Sequence, residues 1–581
     1  MKKIKSILSL SLFLTFLLYS RFVNLSWGLP YPMHPDERNM ALALVRLRPE
    51  NFFRPDFFAY GQFPLYLGYV LIQFNHLFSS KIGAIINFEE ATISLRVISA
   101  LASIINALIL IKLINLIISN SQFSISDKIS NFKLQITNWL IIIFAPFFIQ
   151  FSHFGTTESL LMLLYSVIIY CSLLYLKGRS RSMLFLSALF SGLAIATKVS
   201  AVIFILTPLM VMLTESKDAG IFFKKYYQGL RLVVFTLLVA IIFSPYNFIN
   251  FPDFLDSMKY ESDVALGRYL VFYTRQFSDT HPLSFQLTKI FPFTLGWPIL
   301  ILSILGFAFL SWKDKRINLL RFAFLIYFLP NALIFAKWTR FIAPVMPIML
   351  VIASLFLISI YDCRWLKTNI KIQKFLVMFC HSILWILIFA SILPGLAYLS
   401  VYQNEDVRFV ASDWIEKNIP ENSYILSETA NVIDLPVAKE KINGVSNKNY
   451  HYVSFNFYDL DENKELLEEL NTHLSKADYI FVPSRRIFMN HTCLDAQNPS
   501  FNLKRFLEWK KCERLEKKYP LLYEYYQKLF SGQLGFKQVA EFSSYPKITF
   551  LGKTILEFPD ETAEETWSVF DHPVIRIYKK M

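Results

Sequence analysis

The residues best equipped for chemistry sit where an apolar chain turns polar. His34-Pro35-Asp36-Glu37-Arg38 follows the first hydrophobic segment. Ionisable residues grouped where a chain leaves a bilayer are costly unless they face water or a site. Asp36 and Glu37 are adjacent, so on a helix they point about 100° apart and cannot jointly clamp one atom. One carboxylate would act while the other orients it or binds a neighbour. A carboxylate at an interface can take a proton from a hydroxyl, as a general base must. Pro35 can open a helix with Asp36 near its positive end, where ionisation is favoured. The same placement also serves plain helix stabilisation, or a loop whose charges are merely solvated.

Other candidates lie further along. Glu158 ends the run His153-Phe154-Gly155-Thr156-Thr157-Glu158 at the expected mouth of a helix. A threonine cap with Glu158 complementing the helix dipole accounts for that run without catalysis. His34 and His153 are suited to binding a substrate or a metal, yet neither loop shows metal-ligand spacing, and metal dependence stays open. Packing or an interfacial hydrogen bond is the commoner role of such a histidine. Lys198, Lys337 and Arg340 are cations at helix ends. They can hold a phosphate, Arg340 in bidentate fashion, or simply snorkel to lipid headgroups.

The elements that must position these residues are apolar. Of 581 residues, 54% are hydrophobic and 18% charged, and the mean hydropathy is +0.40. Repeated apolar runs near 20 residues long define a polytopic membrane protein. The net charge of +14 arises largely from short basic clusters between those runs, as the positive-inside rule expects, and so argues against a nucleic-acid partner. Lys2, Lys3 and Lys5 before apolar residues 7–19 resemble a signal peptide, but no small-x-small cleavage site follows. The stretch reads as an uncleaved first span with a cytoplasmic N-terminus.

Later spans are expected at about 95–118, 137–152, 159–176, 183–197, 200–214, 229–248, 290–311, 318–336, 341–361 and 376–400. The aromatic run Phe63–Phe78 is long enough to tempt a further assignment. Placing it on the outer surface instead, as an apolar shelf or anchor, puts all the basic clusters inside: Lys128/Lys133, Lys177/Arg179/Arg181, Lys217/Lys224/Lys225, Lys313/Lys315/Arg316 and Arg364/Lys367/Lys371/Lys374. The result is about 11 transmembrane helices over residues 1–400, with the C-terminus outside. This topology gathers the HPDER loop, the 153–158 run, Lys198, the loop at about 249–289 (Glu261, Asp263, Arg268, Arg275, His281) and Lys337-Trp338-Thr339-Arg340 on one outer face.

From residue 401 the character changes. Val407, Val410, Ala411, Trp414 and Ile415 recur at helical spacing, and β-rich runs follow at 424–427, 479–482, 547–551 and 574–578. Charged helical stretches at 462–474 and 504–529 lie between them. Residues 401–581 are enough for an extracytoplasmic α/β domain with its own core. It has no phosphate-binding glycine loop and no Ser/His/Asp or metal spacing. Among the five cysteines (Cys171, Cys363, Cys380, Cys493, Cys512), Cys493 and Cys512 could pair in an oxidising compartment.

Taken together, these residues resemble the polyprenyl-phosphate-dependent glycosyltransferases of the C superfamily (GT-C), in the branch of the protein O-mannosyltransferases and the aminoarabinose transferase. The resemblance covers about the first 400 residues. It rests on His34-Pro35-Asp36-Glu37, Phe63-Pro64-Leu65-Tyr66, Arg96, His153–Glu158, Ala196-Thr197-Lys198 and Arg340-Phe341-Ile342-Ala343-Pro344-Val345-Met346-Pro347. The first motif is fairly specific and the others support it. The ending Glu564-Glu565-Thr566-Trp567-Ser568-Val569-Phe570-Asp571-His572-Pro573 is similar to that of many prokaryotic members.

What the resemblance implies is a cell-membrane transferase acting on the extracytoplasmic face. A sugar on dolichyl or undecaprenyl phosphate would pass to a hydroxyl of a protein, lipid or glycan acceptor, generally with inversion. Asp36 matches the catalytic acidic residue of the first external loop, with Glu37 in support. His34, His153 and Glu158 become acceptor- or substrate-binding candidates, though Glu158 stands where relatives often have Asp. Arg340, Lys337 and Lys198 become candidates for the donor phosphate. No certain cofactor is implied, and that branch is mostly treated as metal-independent.

Two other readings compete. A transporter or flippase of lipid-linked sugars would be expected to carry polar residues at mid-bilayer and often repeated halves, whereas the polar residues here collect at one surface. An oligosaccharyltransferase-like enzyme would be expected to carry Trp-Trp-Asp-Tyr-Gly, which is missing from the sequence.

Overall fold

The computed structural model describes residues 2–79, 83–119, 128–213, 219–361, 370–429, 435, 448–494, 496 and 509–581. Of the basic residues expected between spans, Lys217, Arg364 and Lys367 lie outside the described residues, as do Cys363 and the start of the 504–529 stretch. The chain forms two compact units. The first holds Met1–Leu25, Asp36–Ser262 and Pro282–Leu399; the second holds Ser26–Pro35, Asp263–His281 and Ser400–Met581.

The first unit is helical. Among the described residues five helices are long and apolar enough to cross a membrane: Phe88–Ile118, Glu158–Gly178, Lys225–Phe243, Thr339–Tyr361 and Ser382–Gln403. Shorter apolar helices run Leu10–Phe22, Arg181–Thr197 and Val199–Leu213. This is an integral membrane protein with several spans, but the expected eleven are not all continuous helices. The span expected at 290–311 is broken into Gln286–Thr294 and Trp297–Phe309, bent by 115°. Gly296 makes the turn at φ +79°, which a side chain would strain, and Pro298 supplies no N–H to the helix it enters. The span expected at 137–152 breaks likewise before Pro146, and that at 200–214 opens as 3-10 helix over Val199–Ile205. The Phe63–Phe78 helix buries Leu65, Gly68 and Ile72 and exposes Val70, Phe74, Leu77 and Phe78.

The second unit is built on a five-stranded sheet in the order β2-β1-β3-β7-β4. Its strands are β1 (Tyr424–Glu428), β2 (His451–Phe455), β3 (Tyr479–Val482), β4 (Phe536–Phe542) and β7 (Ile575–Lys580), with β5 (Lys547–Phe550) and β6 (Lys553–Glu557) in a separate hairpin. β1 is parallel to β2 and β3; β7 runs antiparallel to β3 and β4. Alternation along the central strands sends Leu426, Ile480, Val482 and Tyr578 to one core and Ile425, Phe481, Ile575 and Ile577 to the other. The helix expected from Val407 onward is Val407–Asn418. The stretch ending near 529 forms Trp509–Lys518 and Pro520–Phe530 instead of one helix, parted at Tyr519 by the proline. Cys493 and Cys512 form a disulfide. Arg275, from the 263–281 segment, donates to the Tyr458 carbonyl and pairs with Glu462 at 3.0 Å.

Candidate active site

Pro35 opens the Pro35–Val45 helix and leaves Asp36 and Glu37 in its first turn. From there the two carboxylates part, as adjacent helical positions must. Glu37 turns inward. Arg96 grips it with two parallel bonds, Nε to Oε1 and Nη2 to Oε2, both 2.7 Å. The Gly155 N–H adds a third at 2.6 Å, and Arg96 also donates to the Leu25 carbonyl at 2.6 Å. A methyl group on Gly155 would stand 2.9 Å from Glu37 Oε1 and 2.8 Å from Leu95, so only glycine lets the 153–157 loop close on this pair. The pair is buried.

Asp36 turns outward and forms an ion pair with Arg340. Their side chains keep 18% and 19% exposure, against 2% and 0% for Glu37 and Arg96. Of the two carboxylates, Asp36 is thus the one open to an incoming molecule. Arg340 lies in the short Thr339–Ile342 helix, its guanidinium 4.8 Å from the Trp338 ring and 5.9 Å from that of Phe341. Phe341 also faces Lys198, whose ammonium is 5.3 Å from its ring and 5.2 Å from that of Tyr60. Lys198 follows the Arg181–Thr197 helix in extended conformation, and its Nζ stands 3.8 Å from Glu158 Oε1. The Gly61 N–H bonds the Thr197 carbonyl at 3.0 Å, anchoring the Tyr60 loop beside it.

Asp36, Glu37, Glu158, Lys198 and Arg340 are therefore linked in one arrangement: two cations, an aromatic face shared between them, one open carboxylate and two buried ones. Such a set can hold a phosphate and accept a proton within one site.

The remaining expected residues are differently engaged. The ring nitrogens of His153 lie 2.7 Å from the Ile149 carbonyl and 2.8 Å from that of Val23. Lys337 donates to the Phe335 carbonyl at 2.9 Å. His34 belongs to the second unit, where its ring is 4.4 Å from Phe570. Among the described residues no group of three or more His, Cys, Asp or Glu side chains is arranged to hold a metal.

Sequence reasoning missed the Gly155 contact, the Tyr60 face and the partner of Arg96, because each is made across long chain separations. The signals for Arg96 were its place at the head of an apolar run and its part in the resemblance, neither of which names a partner. Glu261, on the Phe251–Leu266 helix, lies in the field of Lys198: desolvation raises its carboxyl above the usual range and Lys198 opposes that rise.

No protein-family model matches the chain, and no curated protein matches it. Its structure is similar to the archaeal oligosaccharyltransferase AglB from Archaeoglobus fulgidus, solved with an inhibitory peptide and a dolichol-phosphate. That likeness has 12% identity and a TM-score of 0.42, over 82% of this chain and 69% of the other. It is similar also to ArnT from Cupriavidus metallidurans in the apo state, at 13% identity and TM-score 0.44, over 83% and 92%. The same ArnT bound to undecaprenyl phosphate gives 12% and 0.43, over 82% and 92%.

Proposed function

We propose that this protein is a membrane glycosyltransferase. It moves a sugar from a polyprenyl-phosphate carrier to a hydroxyl acceptor on the extracytoplasmic face, with Asp36 as general base. The observation that carries the reading is the partly open Asp36–Arg340 pair, with Lys198 also near the Phe341 ring. The acceptor oxygen attacks the anomeric carbon and its proton passes to Asp36. The bond from that carbon to the phosphate oxygen breaks, and its electron pair leaves with the carrier phosphate. Arg340 and Lys198 stabilise the departing charge, which needs cations more than acid assistance. Displacement from the opposite side inverts the anomeric centre. Glu37 does not touch substrate in this reading; locked by Arg96, it holds the first turn in place. Glu158 tethers Lys198. The Cys493–Cys512 disulfide supports an oxidising compartment for the second unit.

The test is transfer of labelled sugar from a panel of polyprenyl-phosphate monosaccharides in proteoliposomes, comparing wild type with Asp36→Asn. Transfer or donor hydrolysis that disappears in a folded mutant is expected. Unchanged turnover in Asp36→Asn would remove the base. No turnover with any donor, but movement of one across the bilayer, would make the protein a transporter.

A further inference from the structure

The β5–β6 hairpin carries three large apolar side chains into open surroundings. Phe550 is 65% exposed, Leu551 87% and Ile555 66%. Exposure is graded along the hairpin. Ser544, Tyr545 and Pro546 at its base are buried, whereas every residue from Thr549 to Ile555 is exposed. The Phe558 N–H bonds the Pro546 carbonyl at 2.8 Å and closes the base. At the tip Phe550 pairs with Lys553 across the two-residue turn Leu551-Gly552, with φ +49° and +77°. Turns with both φ positive match the twist of a hairpin and favour Asn-Gly or Asp-Gly. Glycine meets the second position freely, but leucine at the first strains the backbone and leaves an apolar side chain bare. Neither helps the hairpin form in water.

What surrounds the tip follows from where the hairpin is fastened. Its first residue, Lys547, donates its N–H to Ser400 Oγ at 3.0 Å. Ser400 lies in the last turn of the Ser382–Gln403 helix, one of the five long and apolar enough to cross a membrane. It is also the residue at which the second unit takes up the chain after that span. The hairpin therefore starts level with the end of a span. A strand rises about 3.4 Å per residue, so Leu551 stands within about 14 Å of that level. A headgroup layer is about 5–8 Å deep, so a strand of this length can carry the tip through it to the acyl boundary. Lys553 at the tip and Lys547 at the base, the latter in register with Glu557, can turn their ammonium groups to lipid phosphates. A partner protein could cover the same side chains; the fastening at the end of a span is what favours lipid.

We propose that Phe550, Leu551 and Ile555 form a lipid-binding tip that dips into the headgroup–acyl boundary of the leaflet at the Gln403 end of the span. Such an anchor holds whether or not the protein transfers a sugar. The experiment uses the full chain in phosphatidylcholine proteoliposomes, carrying Cys171→Ala, Cys363→Ala and Cys380→Ala and keeping the Cys493–Cys512 disulfide. An NBD dye on Leu551→Cys reports its surroundings. The same dye on Thr472→Cys, an exposed position of the Lys464–Lys476 helix, is the reference. At 551 the emission should shift to the blue and be quenched by lipids brominated about 5–10 Å into the headgroup–acyl boundary, the depth that interfacial elements reach. At 472 neither should occur. The double variant Phe550→Ser/Leu551→Asn removes the apolar tip but keeps the turn, since asparagine accepts a positive φ. A dye on Ile555→Cys should be blue-shifted and quenched with the tip intact, and lose both in that variant. Water-like, unquenched emission at 551 would overturn the anchor. So would quenching at 555 that survives the double variant. A blue shift without lipid quenching, fading as the protein is diluted in lipid, would put a second copy on the tip and overturn it too.

Discussion

Arg96 holds both carboxylate oxygens of Glu37 at 2.7 Å, in a site that water does not reach. The adjacent Asp36 is thereby left as the open member of the pair. Breaking a buried ion pair from one side strands the other charge, at a cost of about 3–5 kcal/mol. Arg96→Met and Glu37→Gln should each lower thermal stability steeply in detergent. The double variant Glu37→Gln/Arg96→Met should cost less than the two singles summed. Plain additivity in that cycle would mean the pair does not act as a unit.

Arg340 and Lys337 are close in sequence but differently used. Arg340 faces Asp36, whereas Lys337 donates to the Phe335 carbonyl. Loss of a charged hydrogen bond to a phosphate is worth about 1.5–3 kcal/mol, or roughly 10- to 150-fold. Arg340→Gln should lower kcat/KM for the lipid-phosphate donor by that factor. Lys337→Met should change it far less. Equal losses would show that both cations meet the donor.

Glu428 ends β1 in a fully buried setting, its Oε1 accepting the Tyr526 hydroxyl at 2.8 Å. Burial raises its carboxyl from 4.5 to about 8. The folded form therefore keeps the proton where the unfolded chain would lose it. Its contribution is fully present below about pH 4.5 and is lost as pH rises toward 8. Glu428→Gln keeps the acceptor without the charge, so it should be more stable than wild type at pH 8 and little different at pH 4.5. Unfolding curves at the two values check this.

His572 is buried, but Asp571 and Asp560 flank its ring nitrogens at 2.6 and 2.8 Å and outweigh that desolvation, so its folded pKa is also raised, from 6.5 to about 10. Its stabilisation is complete below pH 6.5 and disappears as pH climbs through 10. Thermal scans of wild type should fall across that window, and those of His572→Gln should be flatter. Parallel slopes would remove the charged imidazole from the account.

Cys493 and Cys512 close a loop with a sequence separation of 19. Cross-linking a loop of that size is worth about 3 kcal/mol, chiefly through the unfolded chain. Reductant, or Cys493→Ser, should lower the unfolding midpoint of the C-terminal unit. An unchanged midpoint would mean that packing alone holds this corner.

What the sequence determined by itself follows from local composition and period. Apolar runs announced a membrane protein, and the HPDE cluster stood out because charge beside a bilayer is costly. The helix at Val407–Asn418 and the central strands β1, β3 and β7 were legible because their apolar residues repeat at regular spacing or run unbroken. β2 and β4 were not, since they are the edge strands of the sheet and carry exposed polar residues that blur any pattern.

Tertiary structure alone decided which carboxylate is locked and which is open, that Arg340 rather than Lys337 meets Asp36, and that Lys198 is tethered to Glu158. It also broke the span at Gly296 and joined the C-terminal run to the segment before Asp36. The physical reason is common to all of these. Periodicity tells a residue which face it lies on, whereas an ion pair depends on which distant side chain packing brings within about 4 Å, and on how much water is left there to compete.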